Sequence, residues 1–191
     1  MQIKQIDILV HPDYFQMSVP HLPFHERQMI LRKLWEQRID TLEKQRDTIL
    51  LHFSNMTTDS IEQGLKDIST ITNRIERDEI ERINKSIAKL GSRFIWFGWF
   101  VIPSSELLEE IFKSRELTYI PDKTKIRGYG EIFEVCTSAW IHKTALSLGI
   151  PSSNVEYCRE ESLTNADCNV INKWRVNKLI NQYNNGFAQH L

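Results

Sequence analysis

Lys125-Ile-Arg-Gly-Tyr-Gly-Glu-Ile-Phe-Glu-Val-Cys-Thr-Ser-Ala-Trp-Ile-His-Lys-Thr-Ala-Leu-Ser-Leu-Gly149 passes from a short β-type run through two glycines into a helical pattern, and so reads as strand, turn and helix. Gly128 and Gly130 allow a sharp turn and the close approach of a ligand. The helix that follows points its free N–H groups back at that turn. In α/β proteins such a junction is where a site sits.

Outward from it, the chain alternates. Residues 3–10 begin with polar alternation and end apolar, as a strand entering a core does, and His11-Pro12-Asp13-Tyr14 stops it. From about residue 24 to 44, Ile30, Leu31, Leu34, Trp35, Ile39 and Leu42 recur at helical spacing. Residues 48–53 form a short apolar run, the profile of a buried strand. Asp59 with Glu62 marks a helix start, and an isoleucine-rich stripe then runs to Leu90. Its step from Ile75 to Ile80 predicts either one long helix with an irregularity near residues 76–79 or two helices in succession.

Residues 93–102 are apolar on both faces, which suits a central strand covered by helices on each side. A short helix is expected over 106–114. Residues 117–120 and 125–129, around the turn at Pro121, suit a small hairpin or a flap. An edge strand follows at 154–158, and a last helix from about 166 to 183. This alternation predicts one α/β domain over residues 1–191. It is three-layered and Rossmann-like, with a mostly parallel sheet, helices on both faces and one long central amphipathic helix.

The totals narrow the function classes. A chain of 191 residues is long enough for one substantial core. With 41% apolar and 26% charged residues and a net charge of -1, it has no global attraction for nucleic acid or an anionic membrane. No run of about 18 uncharged apolar residues and no basic start with an apolar core follow the first Met, so the expectation is a cytoplasmic protein. The three cysteines, Cys136, Cys158 and Cys168, form no CxxC pair and are expected as thiols.

In a parallel sheet, ligands sit beyond the carboxyl ends of the strands, where strand order reverses. The candidates at strand ends are His11, Asp13 and Tyr14; His52 and Ser54; Ser104 and Ser105; and Gly128, Gly130, Glu131 and Cys136. Cys136, early in its helix, is placed where the helix dipole favours a thiolate; it also lies on the apolar stripe with Ile132, Ala139 and Trp140, where it would simply fill space. Glu131 is a candidate acid or base beside Gly130. Gly128-Tyr-Gly130 is too short for a dinucleotide fingerprint and no phosphate-loop motif occurs, so no cofactor is expected. His11, Asp13, His21, His25 and His52 offer an alternative, a metal-dependent enzyme built on the first loop.

The spacing from Gly130 to Cys136, heading a helix after a strand, resembles the nucleophile turn of isochorismatase-like cysteine hydrolases. His11-Pro-Asp13-Tyr14 is similar to their first acidic loop. The resemblance implies an α/β fold and a catalytic set in which Asp13 and Cys136 take the aspartate and cysteine positions; no lysine of this chain falls at the family's lysine position. Two function classes follow. One is a small-molecule hydrolase with Cys136 as nucleophile, Asp13 or His11 as base and Gly128 to Glu131 as the ligand loop. The other is a non-catalytic ligand-binding or interaction protein, with the 59–90 helix as its partner surface, including for a second copy of the chain.

Overall fold

The computed structural model describes residues 1–11, 35–98, 101, 103–130, 137–158 and 162. Its strands β1 (Gln2–Ile3) and β2 (Gln5–Val10) precede helical residues 35–44 (α1) and β3 (Thr48–Phe53). Helices α2 (Thr58–Lys66) and α3 (Arg74–Leu90), strand β4 (Phe94–Phe97), helix α4 (Ser105–Ser114) and strand β5 (Thr118–Tyr119) come next. Strand β6 (Lys125–Gly130), helix α5 (Ser138–Ser147) and strand β7 (Val155–Tyr157) complete the set.

Five of the strands form one sheet in the order β4-β3-β2-β6-β7, every neighbouring pair parallel. Side chains alternate across it, which sorts the core into two halves. On one face Ile6, Ile8, Val10, Ile49, Leu51, Phe53 and Ile126 meet Leu108 and Phe112 of α4 and Ile141 and Ala145 of α5. On the other, Leu9, Leu50, Phe94 and Tyr129 meet Trp35, Ile39 and Leu42 of α1 and Ile61, Ile80 and Ile83 of α2 and α3. Each such side chain contributes on the order of 1.5–3 kcal/mol on burial. Packing of the amphipathic stripes, more than intrinsic propensity, therefore holds these helices. The fold is the expected three-layer, Rossmann-like α/β arrangement.

Three local expectations differ in detail, and the long stripe is decided between its two alternatives. The N-terminal strand is two strands, because the chain bends at Lys4, whose N–H bonds Asp47 O at 2.9 Å. Residues 117–129 form neither hairpin nor flap. The 3-10 turn at Pro121–Lys123 sends the chain onward, so β5 pairs with β1 and β6 with β2, both in parallel, and β6 is a central strand. The long stripe is divided into α2 and α3 near Asp67 and Asn73, whose side chains cap the 3-10 turn Ile68–Thr70 and α3 respectively. The stripe is thus the second expected arrangement, two helices in succession, with the break ahead of residues 76–79. The aromatic strand, β4, is covered on both faces yet lies at the edge of the sheet that the described residues form. Two-sided apolarity reports covered faces and carries no information about strand order.

Two arginines close backbone groups that the sheet and helices leave open. Arg93 Nη1 donates to the carbonyls of Leu42 and Gln45, at 2.7 and 2.8 Å, and so finishes α1. Arg115 Nη1 donates to Phe94 O at 2.6 Å and Ser92 O at 3.1 Å, which occupies the unpaired edge of β4. The part before residue 35 of the helix expected over 24–44, and the helix over 166–183, lie outside the described residues, as do Trp99, Phe100 and Ile102 of the aromatic run.

Candidate functional site

The chain steps from β2 to β3 to β4 on one side and then returns to the other side of β2 as β6. Strand order therefore reverses between β2 and β6, and the register sets Val10 opposite Gly130 at their carboxyl ends. Gly130 has φ 153°, and a Cβ there would lie 2.4 Å from Val10 O and 2.7 Å from Thr137 Oγ1. The two strand ends and the start of α5 meet too closely for any side chain. The Gly130 N–H donates to Ser162 Oγ at 3.2 Å, and Ser162 in turn donates to Cys158 O.

His11 follows β2 directly. Its N–H donates to Phe53 O at 2.8 Å, and its backbone has φ 47°, a left-handed conformation that costs a non-glycine residue energy. The ring is 7% exposed, and its Nε2 has no hydrogen-bond partner among the described residues. It makes edge contact with Trp140 of α5, ring centres 5.5 Å apart. Trp140 is partly exposed and stands edge-on to Phe53, which stacks on Phe97 at 5.0 Å. Burial holds the His11 imidazole down to about 4, with help from the charge of His52; Glu79 acts in the opposite sense. The ring is neutral at physiological pH.

His52 lies on the other face of the sheet, between Trp35 at 4.5 Å and Phe94 at 5.9 Å. Its Nε2 is 3.3 Å from Glu79 Oε1, and the same oxygen accepts from Ser54 Oγ at 2.6 Å. Ser54 Oγ also accepts from Met56 N at 2.9 Å. One carboxylate of α3 therefore anchors the carboxyl end of β3 and the turn after it. Nearby Trp35 Nε1 donates to Ser86 Oγ, and the Arg82 guanidinium lies 5.5 Å over the Trp35 ring. Burial brings Arg82 down to about 9.

Of the residues expected at strand ends, the structure brings His11 and Gly130 to the reversal point. His52 and Ser54 come together with Glu79, wholly buried. Gly128 is inside β6, where a Cβ would lie 1.9 Å from Ile141 Cδ1; its bareness seats α5 on the sheet. Ser104 caps α4 by accepting from Leu107 N. Asp13, Tyr14, Glu131 and Cys136, with His21 and His25, lie outside the described residues. Among the described residues no group of three His, Cys, Asp or Glu side chains has metal-holding geometry.

Glu79 and Trp140, which contact His52 and His11, did not stand out from sequence. For Glu79 a signal existed: it stands in the isoleucine stripe between Ile75 and Ile83, at the place where the stripe slips, and an acid at an inward position needs a buried partner. Trp140 shared its spacing with ordinary core residues. No helix of the described residues is long and apolar enough to cross a membrane. No family model matches the chain, and no match to it was found among curated proteins or solved structures.

Proposed function

We propose that this protein is a small-molecule hydrolase whose site opens between the carboxyl ends of β2 and β6, with Cys136 as nucleophile and Asp13 or His11 as base. The observation that supports it is the register of Val10 with Gly130. The segments carrying the two halves of the candidate set leave the sheet from adjacent strands, at the point of reversal where parallel sheets hold ligands. In this reading the Cys136 thiolate attacks a carbonyl carbon and the C–N or C–O bond breaks. The base returns its proton to the leaving group, and water then cleaves the thioester. A non-catalytic ligand site on the same strands is the second reading, favoured by His11, whose Nε2 has no hydrogen-bond partner among the described residues and needs no nucleophile to gain one.

The test is the rate of alkylation of each cysteine against pH in the native protein, resolved by mass spectrometry. Cys136 is expected to react fast, with an apparent pKa below that of a free thiol, while buried Cys158 stays protected. A Cys136 that reacts only on unfolding removes the hydrolase reading and leaves the ligand site.

A further inference from the structure

We infer that the groove between α1 and α3 is a binding site for a free α-amino acid with an apolar side chain, held by its two charges between an acidic and a basic wall. The site lies in the helical layer and is independent of the chemistry proposed for Cys136. Three observations carry it. The first is the hollow itself. Where α1 and α3 run side by side the groove has a volume of about 230 Å3, with Trp35, Ile39 and Ser86 in its floor. All three are buried, and Trp35 Nε1 donates to Ser86 Oγ at 3.0 Å, which fixes the floor in place. The space is below the roughly 300–1,000 Å3 of sites for drug-sized molecules. It suits a ligand of amino-acid size whose apolar side chain rests on Trp35 and Ile39.

The second is the sign of the walls. Glu36 and Asp40, one turn apart, line the α1 side, and Lys85 and Lys89, also one turn apart, line the α3 side. The two rows are in step: Lys85 Nζ lies 3.9 Å from Glu36 Oε1, and Lys89 meets Asp40 directly. A ligand of one sign gains from one wall and is repelled by the other. A zwitterion gains from both, with its ammonium turned to α1 and its carboxylate to α3. The Glu36–Lys85 separation is beyond hydrogen-bond length, so a group entering there displaces no direct bond. Both side chains are exposed, and such a pair parts at little cost. Rim charges this close together match an ammonium and a carboxylate carried on one carbon.

The third is Arg82, which lines the groove from below, buried, with its guanidinium 5.5 Å over the Trp35 ring. At about 9 it still carries its charge at neutral pH. A ligand carboxylate therefore meets a cation at the floor as well as at the rim, where a charge acts more strongly than in water. This fixes the direction of binding, with the carboxylate inward and the ammonium on the acidic rim.

The test uses the full chain and three probes of one shape: L-leucine, 4-methylpentanoate, which lacks the ammonium, and 3-methylbutylammonium, which lacks the carboxylate. Each is titrated at neutral pH while the indole N–H signal of Trp35, assigned through Trp35→Phe, is followed by NMR. Leucine is expected to shift the signal in a saturable manner. The two single-charge probes should bind at least about tenfold more weakly, a difference of about 1.4 kcal/mol. Glu36→Lys makes both rims basic and should weaken leucine by a similar factor while tightening 4-methylpentanoate. Adding Lys85→Glu restores one charge of each sign and should return leucine to near its original affinity.

The inference is overturned if leucine leaves the Trp35 signal unmoved up to its solubility, or if a single-charge probe binds as tightly as leucine. It is also overturned if Glu36→Lys binds leucine like the wild type, or if the double variant binds it no better than Glu36→Lys.

Discussion

The carboxylate of Glu79 accepts a hydrogen bond from the Ser54 hydroxyl at 2.6 Å, with both residues buried and belonging to different layers of the fold. The same oxygen faces His52, so the pairing ties α3 to the end of the strand beside His11. Glu79→Ala leaves a hydroxyl and an imidazole buried without their partner. It is expected to cost about 3–5 kcal/mol in urea unfolding, and Glu79→Gln, which keeps an acceptor, clearly less. A loss below about 1 kcal/mol for the alanine variant would show that the carboxylate is not the anchor.

His11 predicts an acid-side loss of stability. Its imidazole is neutral in the folded protein down to about 4, whereas in the unfolded chain it takes up a proton near its ordinary value of 6.5. Stability is thus undiminished above about pH 6.5 and falls as pH drops towards the folded value, by up to about 1.4 kcal/mol per unit. Over that window the loss attributable to His11 is about 3 kcal/mol. Urea unfolding at pH 7 and pH 4.5 should show His11→Asn losing less than the wild type, and equal losses would assign the acid sensitivity to other groups.

Gly128→Ala drives a methyl into Ile141 and should lift α5 from the sheet. Overpacking of this kind costs about 1–3 kcal/mol. Ile141→Ala alone makes a cavity, but added to Gly128→Ala it removes the clash. The two changes should therefore be strongly non-additive in thermal unfolding. Additive losses would mean that the strand yields rather than the helix.

Arg115→Ala frees the carbonyls of Ser92 and Phe94 on the margin of the sheet. The expected loss is about 1–3 kcal/mol, accompanied by faster aggregation at elevated protein concentration, because an uncovered strand edge is a template for pairing. Light scattering on both proteins decides it: an unchanged aggregation rate means the edge is covered by other means.

The layers were legible in sequence, because apolar periodicity reports which faces are covered. It placed β3 from Thr48 to Phe53 and α4 to within a residue. Strand order was not legible, since Phe94–Phe97 at the margin and Lys125–Gly130 at the centre differ in neighbours rather than in composition. Of the candidate site, His11 and Gly130 were found because a proline or glycine punctuates each strand end. Gly128 was read as a turn residue although it serves packing, because a missing Cβ looks the same in sequence whether it admits a bend or a helix. The Glu79–His52–Ser54 cluster escaped because its members come from α3 and β3, and only the folded chain brings them together.

The pairing of Gln5 with Lys125, and of Val10 with Gly130, has a bearing on how the protein comes into being. The earliest-made strand of the main sheet can take one neighbour, β3, as soon as that is synthesised, but must wait for most of the described chain before the other exists. Closing so large a loop is entropically slow. Until it closes, β2 is a raw margin on that side. The junction of β2 with β6 is therefore among the last features to be assembled, and a nascent chain halted short of residue 125 has no way to build it.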